Sequence, residues 1–169
     1  MTNNDVLRRL RYILDFSDAK IIAVFALAGR DVKRGHVIAW TLKDDDPAFE
    51  PCNDRMLATF LNGLIIDKRG KRDGPTPRPE HRLGNNLILM KLKIAFNLRS
   101  DEIITTLSRA GFRLTEAELG SFMRRPGHRN YRACKDQVLR NFLMGLQLQL
   151  RGGGGEQAPA TSPWKSLSK

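Results

Sequence analysis

Only two cysteines and three histidines occur among the 169 residues of this chain. Two thiols cannot staple a chain of this size, so a disulfide framework is excluded as the source of its stability, and both are expected free and reduced. His36, His81 and His128 stand far apart, and neither His-x-x-x-His nor Cys-x-x-Cys occurs, which removes the usual zinc spacings. No apolar run approaches the roughly 18 residues that span a bilayer. The opening stretch, "MTNNDVLRRLRYILDF", breaks its apolar residues with arginines where a secretory leader needs them unbroken. These absences predict a cytoplasmic protein with no membrane partner. A phosphate-binding Walker loop and a Gly-x-Ser-x-Gly nucleophile elbow are both missing, and the glycines of "RGGGGEQ" follow a helical pattern and open a tail instead of joining a strand to a helix. We therefore expect no catalytic constellation, no metal and no cofactor, and so a protein that is not an enzyme.

What the chain has in excess is positive charge, +11 in all. Residues 3–70 carry eleven basic and ten acidic side chains, a balance of +1, whereas residues 84–151 carry twelve and five, a balance of +7. A field concentrated in one half of a chain points to a polyanion such as nucleic acid.

The chain also repeats itself. Shifted by 82 positions, residues 3–64 align with 85–146 without a gap, and fifteen of the 62 pairs are identical, against about four expected from ordinary composition. Asn3, Asn4, Leu7 and Leu10 fall on Asn85, Asn86, Leu89 and Leu92; "CNDRMLATFLNGL" falls on "CKDQVLRNFLMGL". Trp40 meets Phe122 and Phe49 meets Tyr131, so bulky rings recur where identity does not. What is shared is mainly what a core needs.

Each copy reads as four helices. The first is placed after an asparagine able to cap it, with apolar residues at helical spacing such as Val6, Leu7, Leu10 and Leu14. The second is expected to start after Ser17 or Ser100 and to stop at Gly29 or Gly111, where glycine accepts the left-handed conformation. The third runs from about Lys33 to Lys43 and from about Glu116 to Arg124, with Thr115 and Glu118 at capping-box spacing. The fourth is the repeated motif, whose Gly63 and Gly145 lie inside an apolar face. Glycine costs about 1 kcal/mol of helix propensity there, which a close crossing of two backbones would offset. The fold class is thus all-α, a tandem duplication of a four-helix unit packed as one pseudo-symmetric two-repeat bundle. Residues 1–70 form the first repeat, 71–84 a Pro/Gly/basic linker, 85–151 the second repeat, and 152–169 a disordered tail.

Taken in order, "RYILDFSDAKI", "FLNGL" with "FLMGL", "NGLIIDKRGK" and "LKIAFNLRSDEI" resemble the YehS family of bacterial proteins, known by a duplicated domain of unknown function. The likeness spans residues 2 to about 150. It implies an all-helical, cytoplasmic, bacterial protein and brings no catalytic residues with it.

Three features carry candidate function. "MRRPGHRNYRACKDQVLR" offers Arg124, Arg125, His128, Arg129, Arg132, Lys135 and Arg140 as a nucleic-acid-binding patch in the second repeat. The aligned loop of the first repeat is acidic, with Asp44, Asp45, Asp46 and Glu50, and the opposed pair suits a protein-interaction adaptor or self-association. Cys52 and Cys134 sit at the start of the fourth helices, where the helix dipole can lower a thiol pKa, although a small buried core residue is the plainer reading.

Overall fold

A computed structural model of the chain describes residues 1–152, and the tail expected to be disordered lies, from residue 153 on, outside the described residues. The described residues form eight helices and no strand. In the first repeat these are α1 (Asn3–Leu14), α2 (Asp18–Leu27), α3 (Arg34–Thr41) and α4 (Asp54–Arg69). In the second they are α5 (Asn85–Ala95), α6 (Ser100–Arg109), α7 (Glu116–Met123) and α8 (Asp136–Arg151). Apart from the C-terminal end of the first helix, every boundary recurs at an offset of 82. The chain divides into two compact units at Leu83/Gly84. Within each unit the second helix packs on the third and fourth, and the first on the third and fourth.

Local chemistry sets these boundaries. α1 opens with a reciprocal box in which the Asp5 amide donates to Thr2 Oγ1 at 3.1 Å and the Thr2 amide to Asp5 Oδ2 at 2.9 Å. The expectation that an asparagine caps the first helix is therefore corrected: Thr2 and Gly84 occupy the cap positions, and Asn3 and Asn85 are already helical. Ser17 caps α2 as expected, but Arg99 precedes α6 and Ser100 is its first residue. The Glu102 carboxylate supplies the missing cap by accepting from the Arg99 amide at 2.9 Å. Thr115 and Glu118 form the box their spacing predicts. Both second helices end in the same motif. Gly29 and Gly111 take φ of 81° and 77°, and the next amide reaches back to Phe25 or Leu107 at 3.0 Å.

The first core gathers Leu7, Leu10, Ile21, Phe25, Leu57 and Phe60; the second gathers Leu89, Leu92, Ile103, Leu107, Leu139 and Phe142. Each such side chain stabilises the fold by about 1.5–3 kcal/mol on burial. Phe25 joins the helices of the first repeat most directly, with ring centroids 5.6 Å from Trp40 and 5.5 Å from Phe60.

Gly63 and Gly145 stand where the fourth helix crosses the second. A Cβ on Gly63 would overlap the Val24 carbonyl oxygen and lie 2.9 Å from its carbon; on Gly145 it would meet Thr106 in the same way, 2.8 Å from the carbonyl carbon. Val24 and Thr106 are themselves 82 residues apart. In each repeat a glycine Cα–H thus faces a carbonyl of the neighbouring helix, a weak hydrogen bond that only a residue without a side chain permits.

The two adjacent asparagines hold each unit together from its polar side. Asn4 is 3% exposed. Its amide nitrogen donates to the Trp40 and Glu50 carbonyls, both at 2.9 Å, and its oxygen accepts from the Cys52 amide at 3.0 Å. Asn86 repeats the set with Phe122 at 3.1 Å, Arg132 at 2.8 Å and Cys134 at 2.9 Å. Beside them, Asn3 donates to the Cys52 carbonyl and to Asp54 Oδ1, and Asn85 to the Cys134 carbonyl and Asp136 Oδ1. One helical turn therefore gathers the end of the third helix, the following loop and the start of the fourth. Asp54 also accepts from the Leu83 amide at 2.9 Å, and these bonds hold its carboxyl below the usual range, the Asn3 bond first.

The cysteines lie beneath this clamp, each 4% exposed, with the Sγ of each 3.8 Å from the carbonyl of the next residue. Burial, and then the charge of Asp54 or Asp136, pushes the Cys52 thiol up to about 12 and Cys134 up to about 11. The helix dipole does not prevail; desolvation does.

Three outcomes follow from this packing. Gly63→Ala or Gly145→Ala should destabilise the protein by about 2 kcal/mol or more through overpacking, exceeding the roughly 1 kcal/mol alanine gains in propensity; urea unfolding midpoints at or above the parent's would refute the crossing. Asn86→Asp preserves shape but turns the donor of two bonds into an acceptor. It should cost about 1–2 kcal/mol, as Asn86→Ala should, because the Phe122 and Arg132 carbonyls lose their donor at a half-buried site. A denaturation curve unchanged by Asn86→Asp would remove the clamp from this account. Because both thiols are buried and their ionisation is pushed well above pH 8, maleimide should label them only at the rate of local opening, and completely in denaturant. Rapid native labelling of both would contradict their burial.

Candidate nucleic-acid interface

After α7 the chain must return to the Asn86 clamp, and it does so in two consecutive turns. The His128 amide bonds the Arg125 carbonyl at 3.0 Å around Pro126 and Gly127, whose φ is 94°. The Tyr131 amide bonds His128 at 2.9 Å, and His128 Nδ1 accepts from the Asn130 amide at 3.0 Å. The Arg132 amide then closes onto the Ser121 carbonyl at 3.1 Å.

This fold brings Arg124, Arg129 and Arg132 to one groove of about 520 Å³, together with Asn130 and the α7 residues Glu116 and Gly120. A neighbouring cleft of about 230 Å³ shares Glu118, Ser121 and Arg132 with it and adds Lys135. Arg125 and His128 are exposed on the same loop and Arg140 on α8, but none of these lines either cleft. Among the described residues Arg124, Arg129 and Arg132 make no ion pair. Tyr131 is half-buried, an anchor of the loop more than a stacking platform.

Reading the sequence alone misses one wall of the groove. Glu116 and Glu118 belong to it, as does Asn130; the return of the loop over α7 places them there. What turns the loop back is the bond from the Arg132 amide to the Ser121 carbonyl, which no local sequence signal announces.

The acidic loop repeats the hydrogen bonds of the basic one, although Asp45 does not share the positive φ of Gly127. The Asp46 amide bonds Lys43 at 3.0 Å, the Phe49 amide bonds Asp46 at 3.0 Å, and the Glu50 amide bonds Ala39 at 3.1 Å, each bond 82 residues from its counterpart. Asp46 Oδ1 even accepts from the Ala48 amide at 2.8 Å where His128 Nδ1 accepts from Asn130. Asp44, Asp45, Asp46 and Glu50 are exposed, and Asp44 lies 3.5 Å from Arg8 of its own repeat. On α3, Arg34 pairs with Asp18 at 3.4 Å and His36 stacks on Trp40.

Among the described residues no group of three His, Cys, Asp or Glu is placed to hold a metal, and no helix is long and apolar enough to cross a membrane. A family model described as "Protein of unknown function (DUF1456)" matches residues 3–70 and again residues 85–152. The chain is 42% identical over 147 residues to the "Uncharacterized protein YehS" of Escherichia coli (strain K12), covering 86% of this chain and 94% of that protein. No solved structure matches. With two matched repeats, the same helices in both and a relative this similar along nearly its whole length, the chain belongs to the DUF1456 family of proteins of unknown function.

Proposed function

We propose that this protein is a cytoplasmic binding module, without catalysis of its own, whose second repeat takes a polyanion, RNA or DNA, in the groove between α7 and the basic loop. The observation that carries the reading is the convergence of Arg124, Arg129 and Arg132 on one groove with no carboxylate paired to any of them among the described residues. Unpaired guanidinium groups around a concavity offer forked donors to phosphate. Lys135 extends the same charge into the neighbouring cleft, and Arg125 and Arg140 supply a surrounding positive field, with His128 exposed beside Arg125 on the loop.

The groove is one-sided. Arginines stand on the loop side and Glu116 with Glu118 on the helix side. A single strand has phosphates along one edge and base amino groups along the other, which suits such a groove; a duplex brings phosphates to both sides and meets the acids.

Fluorescence anisotropy with labelled single-stranded RNA and DNA tests the reading. Affinity should fall with salt, with a log–log slope of about 0.7 for each phosphate neutralised on a single strand. Arg129→Glu with Arg132→Glu should lower both affinity and slope while leaving the unfolding midpoint nearly unchanged, because exposed loop charges contribute little to folding. No binding of either strand at low salt would overturn the proposal.

A further inference from the structure

The two repeats present the same surface with its charges inverted. On the first, the start of α3 is basic, with Lys33 at its cap and Arg34, which also pairs with Asp18, and the loop beyond it is acidic, with Asp44, Asp45, Asp46 and Glu50. On the second, α7 is acidic, with Glu116 and Glu118, and the loop is basic. Positions 34 and 116 hold Arg and Glu; positions 50 and 132 hold Glu and Arg. All of these side chains are exposed in the chain.

Shape is inverted at the same place. Ile38, on the α3 face, is 43% exposed, an apolar knob among charges. Its counterpart is Gly120, which lines the groove and has open space where a side chain would stand. A knob on one repeat therefore corresponds to a hollow on the other.

We infer that the α3 face of one copy of this chain docks into the α7 groove of a second copy, helix against helix and loop against loop, with Ile38 entering the space above Gly120. The register follows from charge. Helix on helix sets Lys33 and Arg34 against Glu116 and Glu118, and loop on loop sets the aspartates against the arginines; the alternative, helix on loop, brings like charges together twice. Because the contact joins unlike faces, each copy keeps one knob and one groove, and either a closed pair or a growing chain satisfies both. The inference is independent of the polyanion proposal, although the two occupants use the same arginines and must compete.

Sedimentation velocity of the full chain, freed of nucleic acid by nuclease and a high-salt wash, tests it from about 1 to about 300 μM. In low salt the protein should associate as concentration rises, and the apparent Kd should weaken by about tenfold or more in 0.5 M salt. The triple variants D44K/D45K/D46K and R124E/R129E/R132E should each lose association by a similar factor. An equimolar mixture of the two should recover it, since each loop contact between unlike variants again joins opposite signs. Gly120→Leu, which fills the hollow without changing charge, should weaken association as well. A monomer throughout the range, association indifferent to the triple variants, or a mixture that fails to recover would each overturn the inference. D44K/D45K/D46K keeps every groove arginine, so its binding to single-stranded RNA separates failure of this contact from failure of the polyanion reading.

Discussion

In each repeat one side-chain amide, the buried Asn4 or the half-buried Asn86, meets three backbone groups that belong to three different parts of the chain. The end of the third helix, the last residues of the loop and the entry to the fourth helix all bond to it. Backbone groups at such junctions have no helical partner, and burying them unpaired would cost about 1–3 kcal/mol each. The asparagine satisfies them together, from a helix whose own apolar face is already sunk in the core. Position of the loop, entry angle of the fourth helix and burial of the cysteine all follow from that one side chain.

The duplication was legible because both copies must solve the same packing problem. Gly63 and Gly145 recur inside an apolar face where propensity argues against them, and only a backbone contact accounts for such a pair. Gly29 and Gly111 were readable for a related reason, since a left-handed residue is needed where the second helix stops. The asparagines were seen to recur, but their role was assigned from local statistics. An asparagine near a helix start usually caps it; here the bonding partners lie 36 to 51 residues away, a separation that local rules do not reach. The same limit applied to the thiols. Their place near a helix start was visible, while the burial that dominates their acidity depends on tertiary packing.

The groove shows a further division. Its arginines are a cluster in the sequence and were found as one. Its opposite wall belongs to a separate element, where Glu116 marks a helix start and Glu118 reads only as half of a capping box. Folding back over α7 turns these two features into the lining of a single concavity. Arg125, His128 and Arg140, adjacent in sequence to the lining residues, remain outside it because turns and a helix point them elsewhere.

Since the hydrogen bonds that shape the two loops run almost wholly through backbone, the side chains between residues 43 and 49, or 125 and 131, do little to determine their path. The two copies differ at every residue of this stretch and in the sign of its charge, yet the same backbone bonds close both turns. The segment behaves as a cassette whose two ends are gripped by the surrounding helices. Its contents can change while the frame stays untouched, and a duplicated frame carries two such cassettes of opposite charge.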